Sequence, residues 1–482
     1  MEVNNQMNRR QFLRLSSMVG AGALIAACAP AAAPAAQPAA SSGGGDAAAP
    51  APAGETVKIQ YQSREPEMAG GVQQLWDEWY PKFRETNPGI EIEFLPDPGG
   101  NEKEVAMTSM VAGTAADLLE FCCFNSTYFM QEGQATDLQP MIDRDAEEVK
   151  IDDYYAHQFD PWKKDGDIHL MPRFTGTQVV YYNKDWFEKA GVEAPTQEWG
   201  KWDYKKYEEI GAKFVATDPL QTWATSNYGL SGGASWLAQY WLRGWGTHMV
   251  NPNDDTECLL SSKEAQECLE WLRSMIWDKK EYVPGGSEMA GGVGPDALFI
   301  AERIPMMEIG PWNLGVVMDG AQFKWDVAPM PNGPAGITTH QSVDGTMIWK
   351  GSKNAEQAWT VLKGTTSPEY GLLYAKYANK QPSRKSILDE FPKVLRDYNE
   401  KYNDIKLEVF TDAIKQDLGG PEEMFKKDDA CKNQILKPAF DRVMVIGDAQ
   451  VDLIARHGDL ATKFNRDEVK LEDLGAEMEK IK

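Results

Sequence analysis

The side chains with most to offer chemically are aromatic rings and carboxylates. The chain carries 16 Trp, 17 Tyr and 17 Phe, and 73 Asp and Glu against 49 Lys and Arg. Rings cover the flat C–H faces of a sugar, while Asp, Glu, Asn and Arg chelate neighbouring hydroxyls through charged hydrogen bonds. Covalent chemistry has far less support. No GxSxG nucleophile turn, HExxH, GxGxxG or phosphate loop occurs, and His157, His169, His248, His340 and His457 are scattered. So many carboxylates make chance pairs common, which empties the paired-acid signature of a glycoside hydrolase. Asn251, Asn253, Asp254, Asp255 and Glu257 have the composition of a calcium loop without its glycine and spacing, so a turn is expected. Neither a metal nor a cofactor is expected.

Position selects within this supply. Gln62, Arg64 and Glu65 follow an alternating segment, and Glu120 and Asn125 flank the end of another. Asp344-Gly345 precedes a third, where the glycine would let a ligand approach the backbone. Trp312 follows an apolar run and Gly310-Pro311, where a loop would expose it. Trp236 closes Ser231-Gly232-Gly233-Ala234-Ser235 ahead of a helix carrying Tyr240, and Trp245 lies between Gly244 and Gly246. Each is a candidate ligand contact, although an arbitrary Trp is more often core.

The elements that must hold these residues read as α/β. Thr56 to Tyr61 alternates as a strand, Val72 to Thr86 places Leu75, Trp76, Trp79, Tyr80 and Phe83 at helical spacing, and Ile90 to Phe94 alternates again. Asn87-Pro88-Gly89 separates the last two. Strand, helix and strand in some forty residues make a βαβ unit and predict a parallel sheet. The helix around Val105 to Ala112 and the run Asp117 to Phe121 repeat it. A second set begins at Gln178 to Tyr182, followed by helices over 204–217, 236–245 and 262–278 and by much helix within 367–448. Late strand-like islands at 304–309, 325–328 and 346–349 could complete either sheet, making the domains discontinuous.

The N-terminal residues speak to compartment. Arg9-Arg10 precedes the short apolar run Met18 to Ala27, too short to span a bilayer and suited to a cleavable export signal. Leu24-Ile25-Ala26-Ala27-Cys28 is similar to a bacterial lipobox, with lipid expected on Cys28, and the arginine pair is similar to twin-arginine signals. Residues 1–27 are thus expected as signal peptide. Residues 28–54 are expected as the lipidated cysteine and an Ala/Pro/Gly-rich linker with nothing to bury. The protein is expected to be exported and held at the outer face of the cell membrane, or in the periplasm, by that lipid alone. A formal net charge of −24 excludes nucleic acid and anionic lipid surfaces as partners of the body. Cys122, Cys123, Cys258, Cys268 and Cys431 are odd in number, and mostly unpaired, buried thiols are expected.

The order of segments resembles extracellular solute-binding protein family 1, the maltose-binding-protein-like receptors. The resemblance is carried by Asn87-Pro88-Gly89-Ile90, Val111-Ala112-Gly113-Thr114-Ala115-Ala116-Asp117, Asp137-Leu138-Gln139-Pro140 and Tyr181-Tyr182-Asn183-Lys184-Asp185-Trp186-Phe187. Leu298 to Trp312 and Ser352-Lys353-Asn354 add to it. It weakens after about Asp389, and Ala301 replaces a family glycine. It implies a two-lobe α/β periplasmic-binding-protein fold with a hinged ligand cleft. Lobe 1 would hold 55–174 and 331–364 and lobe 2 would hold 177–328 and 368–482, with hinges near Phe174-Thr175-Gly176, Pro329-Met330 and Gly364-Thr365. Trp312 matches the family's stacking tryptophan, and Arg384 is similar to a residue of a late family loop. The implied function is a monomeric ABC-importer receptor that hands a carbohydrate-like solute to permease subunits. A lipid-anchored carbohydrate-active enzyme and a sensory or adhesive binding protein without an importer are the alternatives.

Overall fold

The first helix shows how the sequence builds lobe 1. In α1 (Gly70–Thr86), Leu75, Trp76, Trp79 and Phe83 recur at three- and four-residue steps and are all buried. Asn87 ends the helix by donating from both its backbone N–H and its side chain to the Phe83 carbonyl. This buried stripe covers a sheet that begins with β1 (Val57–Gln62), β2 (Ile90–Leu95) and β3 (Leu118–Cys122). Helix α2 (Glu102–Ala112) leads into β3, and α3 (Cys123–Gln131) follows it directly.

The computed structural model describes residues 56–64, 70–95, 97, 102–217, 225, 238–279 and 294–481. All fall within one compact unit, Ala53–Lys482. The expected signal, Cys28 and linker lie outside the described residues, as do Glu65 and Trp236.

Two strands run from one lobe toward the other with a single residue between them, β4 (Leu170–Thr177) and β5 (Val179–Asn183). Later come α4 (Ala238–Gly244), β6 (Met306–Ile309), β7 (Trp325–Ala328) and β8 (Gln341–Ile348). The lobe 1 sheet has the order β2-β1-β3-β8-β4. The expected parallel pairing holds for β1 with β2 and β3, whereas β8 runs antiparallel to both β3 and β4. The lobe 2 sheet is antiparallel: β5 lies between β6 and β7, antiparallel to each. The late islands therefore divide, one completing the first sheet and two the second.

The predicted third crossing needs correction. Helix α5 (Ala355–Thr365) contains Gly364, which packs against the Trp79 and Phe83 rings of α1 and is no hinge. The next helix, α6 (Pro368–Ala378), turns most of its buried face to the lobe 1 core as well. Its Tyr370, Leu373 and Tyr374 sit in the same core as Ile59, Leu75 and Trp79. Ala375 on the same helix already touches the other core, which Phe391 and Leu395 then enter fully, so the chain crosses at α6 and not before it. An amphipathic helix goes where its apolar face finds cover, and here that cover is α1.

The cysteines follow expectation where described: Cys258, Cys268 and Cys431 are buried free thiols, and Cys122 is half-buried. Among the described residues no helix is long and apolar enough to cross a membrane. No cluster of three metal-ligating side chains occurs among them. Asn251 to Glu257 form a two-stranded hairpin tied by Asn251 and Glu257, the expected turn.

Candidate functional site: the edge between the lobes

The parallel strands of lobe 1 end on the side facing lobe 2, where open α/β sheets bind ligands. Arg64 lies two residues beyond β1. Its Nη1 donates to Asp344 Oδ2 of β8 at 2.5 Å, with side-chain exposures of 35% and 8%. Asp344 holds the Arg64 guanidinium firmly protonated, well above its ordinary pKa. The other carboxylate oxygen, Asp344 Oδ1, is buried without a hydrogen-bond partner among the described residues.

Register carries the site onward from this pair. Asp344 stands opposite Cys122 of β3 and Phe174 of β4, so the three side chains share one face of the sheet. The Phe174 ring meets Trp312 edge-on, with centroids 6.4 Å apart. Trp312 sits on the short turn Pro311–Asn313 after β6, half-buried, and packs against both lobe cores. Its six-membered ring lies on two glycines. A Cβ on Gly176 would stand 2.8 Å from Trp312 Cζ3, and one on Gly310 only 2.0 Å from it. A ring and a charged donor–acceptor pair thus share one face at the lobe junction.

The remaining predicted residues divide by what they already hold. Gln62 ends β1 and is half-buried. Asn125 donates to Glu102 at the start of α2, and burial raises the pKa of that Glu102. Glu120 is not presented to the cleft. It is buried in an ion pair with Arg173 and accepts hydrogen bonds from Tyr61 and Ser63 at 3.2 Å each. Arg173 also donates to Tyr61, Tyr370 and Tyr374, which makes this a closed polar knot inside lobe 1. Gly345 admits a side chain, not a ligand: a Cβ there would come within 2.6 Å of the Trp162 ring.

Arg384 is likewise committed elsewhere. Its guanidinium donates to Thr366 O, Val149 O and Asp153, with Tyr154 against its face. Tyr240 is buried in lobe 2, its ring 4.6 Å from that of Trp241. Trp245 is half-buried against Trp271, and its indole N–H is buried without a partner among the described residues. Reading by position missed Phe174 and Arg173. The second had a signal, an arginine inside the otherwise uncharged run Leu170 to Thr177, all of it buried.

Beside α3 the lobes enclose a groove of about 900 Å³, lined among others by Gln131, His157, Arg243, His248, Asn251 and Glu423. Contacts cross between the lobes here. Lys103 pairs with Asp429, and Gln131 Nε2 donates to Phe425 O at 2.9 Å. His157 approaches Gln341 Oε1 at 2.6 Å and Asp417 at 3.2 Å. Glu423 organises the lobe 2 wall. It takes Arg243 Nε at 2.9 Å, His248 at 2.8 Å and the backbone N–H groups of Met249 and Val250. Burial works against its charge, but Arg243, His248 and Val250 outweigh that and push its pKa down to about 2.

Two sheets in two lobes joined by crossing strands, with polar and aromatic groups gathered at the junction, define a binding protein of the two-lobe periplasmic type. The comparisons agree. The profile of the family "Bacterial extracellular solute-binding protein" matches residues 65–371, and the chain belongs to that family. It is a solute-binding protein and not an enzyme. A putative binding protein of Brucella abortus is 28% identical over 287 residues, which are 58% of this chain and 65% of that protein. An arabinooligosaccharide-binding protein of Bacillus subtilis is 24% identical over 309 residues, 61% of this chain and 65% of the relative. Among solved structures, an ABC substrate-binding protein from Listeria monocytogenes in complex with cycloalternan superposes with a TM-score of 0.71. That match has 22% identity and covers 86% of this chain and 100% of the other.

Proposed function

We propose that this chain is the extracytoplasmic receptor of an ABC importer. It captures a sugar or oligosaccharide between its lobes and delivers it, as a monomer tethered by lipid on Cys28, to the permease subunits. The observation that carries the ligand reading is the half-buried Trp312 ring on the face that also holds the Arg64–Asp344 pair. A ring for the sugar's C–H face beside charged hydrogen-bonding groups for its hydroxyls is what a carbohydrate asks of a site. The oligosaccharide in the name of the Bacillus relative and the cycloalternan held by the Listeria protein support the same class.

In this reading lobe 1 comprises 55–174, 331–364 and α6, and lobe 2 comprises 177–328 and the chain after α6. Ligand contacts made to both lobes only in the closed form draw the hinge shut. The test is a thermal-shift screen of the body from Glu55 against sugars, polyols, amino acids and peptides. A ligand at 100 times its dissociation constant stabilises the folded form by about 2.7 kcal/mol. A sugar response that disappears in Trp312→Ala is the expected result. A response to peptides or amino acids with sugars silent would remove the carbohydrate assignment.

A further inference from the structure

Resting on the receptor reading, we propose that the cleft discriminates by ligand charge, taking an uncharged or amine-bearing sugar and rejecting phosphorylated and carboxylated ones. Arg64 and Asp344 both have hydrogen-bonding capacity left over among the described residues. Arg64 spends one nitrogen on Asp344 and, at 35% exposure, keeps further N–H donors among the described residues. Asp344 is 8% exposed and keeps one buried oxygen with no donor. A hydroxyl answers both, donating to the carboxylate and accepting from the guanidinium, and an amine satisfies the carboxylate. A fully ionised phosphate or carboxylate placed there brings acceptors alone, so it would leave Asp344 Oδ1 without a donor and set like charges side by side.

The surroundings push the same way. Glu102 and Asp344 lie within electrostatic reach of each other and of Arg64, and Asp97 lies within reach of Glu102. The buried Glu120 behind them is matched by Arg173. Lys380 stands 5.4 Å over the Phe174 ring, and Lys103 is paired with Asp429. A helix N-terminus aimed at a ligand is a ready anion site, but the first turn of α2 carries Glu102 and Glu104 instead. No pair of unspent guanidinium or ammonium groups, which phosphate recognition calls for, gathers here among the described residues.

The experiment is a competition series on the lipid-free body, using neutral di- and trisaccharides, the same sugars oxidised to uronic acids, and their amino-sugar counterparts. Expected is binding of the uronic acids at least about tenfold weaker than of the neutral parents, with the amino sugars equal or tighter. Asp344→Asn and, separately, Glu102→Gln should narrow that gap; Glu102 is half-buried and its replacement tolerable for folding, so one variant survives if the other does not fold. Uronic acids that bind as tightly as their neutral parents would overturn the proposal while leaving the sugar receptor standing. If no sugar of any charge binds, the carbohydrate assignment fails and the charge rule fails with it.

Discussion

Replacing Glu120 by Gln should destabilise the protein without acting on the ligand directly. The residue follows an apolar pair in β3, and its place at a strand end invited a ligand role. The structure gives it an ion pair with Arg173 in which the two side chains are 1% and 2% exposed. Glutamine keeps the shape and one acceptor but removes the charge. The guanidinium would then face only the neutral hydroxyls of Tyr61, Tyr370 and Tyr374, and burial raises the Tyr61 pKa well above the ordinary phenol value, so ionisation offers no relief. Removing one partner of a buried pair costs roughly 3–5 kcal/mol. The retained acceptor favours the lower end, about 3 kcal/mol, which at a urea dependence of about 3 kcal/mol per molar moves the midpoint by about 1 M. Tryptophan fluorescence in a urea series measures this, with circular dichroism confirming the native starting point. The double variant Glu120→Leu with Arg173→Met should recover part of the loss. It removes both charges but leaves the tyrosine hydroxyls and Ser63 short of partners. A Glu120→Gln protein with an unchanged midpoint and weakened sugar binding would refute the reasoning, since it would place Glu120 on the ligand.

Other consequences are open to equally direct measurement. Trp312→Ala should weaken sugar binding by about tenfold or more, the scale of losing an aromatic contact of about 1.5 kcal/mol, read by isothermal titration. Gly345→Ala should cost about 1–3 kcal/mol through overpacking against Trp162, and no loss in a denaturant series would mean the ring has room to shift. Acid should act through Glu423, whose folded pKa of about 2 lies below its unfolded value. Its stabilisation is present above the unfolded carboxylate range and is lost as pH falls from about 4.5 toward 2, on the order of 2–3 kcal/mol. Glu423→Gln should flatten that part of the stability–pH profile, and an unchanged acid limb would show that Glu423 does not carry it.

The sequence by itself determined much of this protein's class. Alternation in β1 and β2 and the helical spacing of Leu75, Trp76, Trp79 and Phe83 are local patterns, and the structure keeps them as strand, helix and strand. Such patterns record which side of an element is buried. They do not record against what. Nothing in 341–348 distinguishes a strand of the first sheet from one of the second, and pairing with β3 and β4 decides it. The same limit applies to α6, whose apolar face fits either lobe until α1 is in place. Among site residues, Arg64 and Asp344 are 280 positions apart, and only the register of β8 brings them together. Glu120 and Arg384 have the chemistry of ligand contacts, but buried partners consume it. A side chain's type sets what it can bind, while the fold decides which of its hydrogen bonds are still unspent when a ligand arrives.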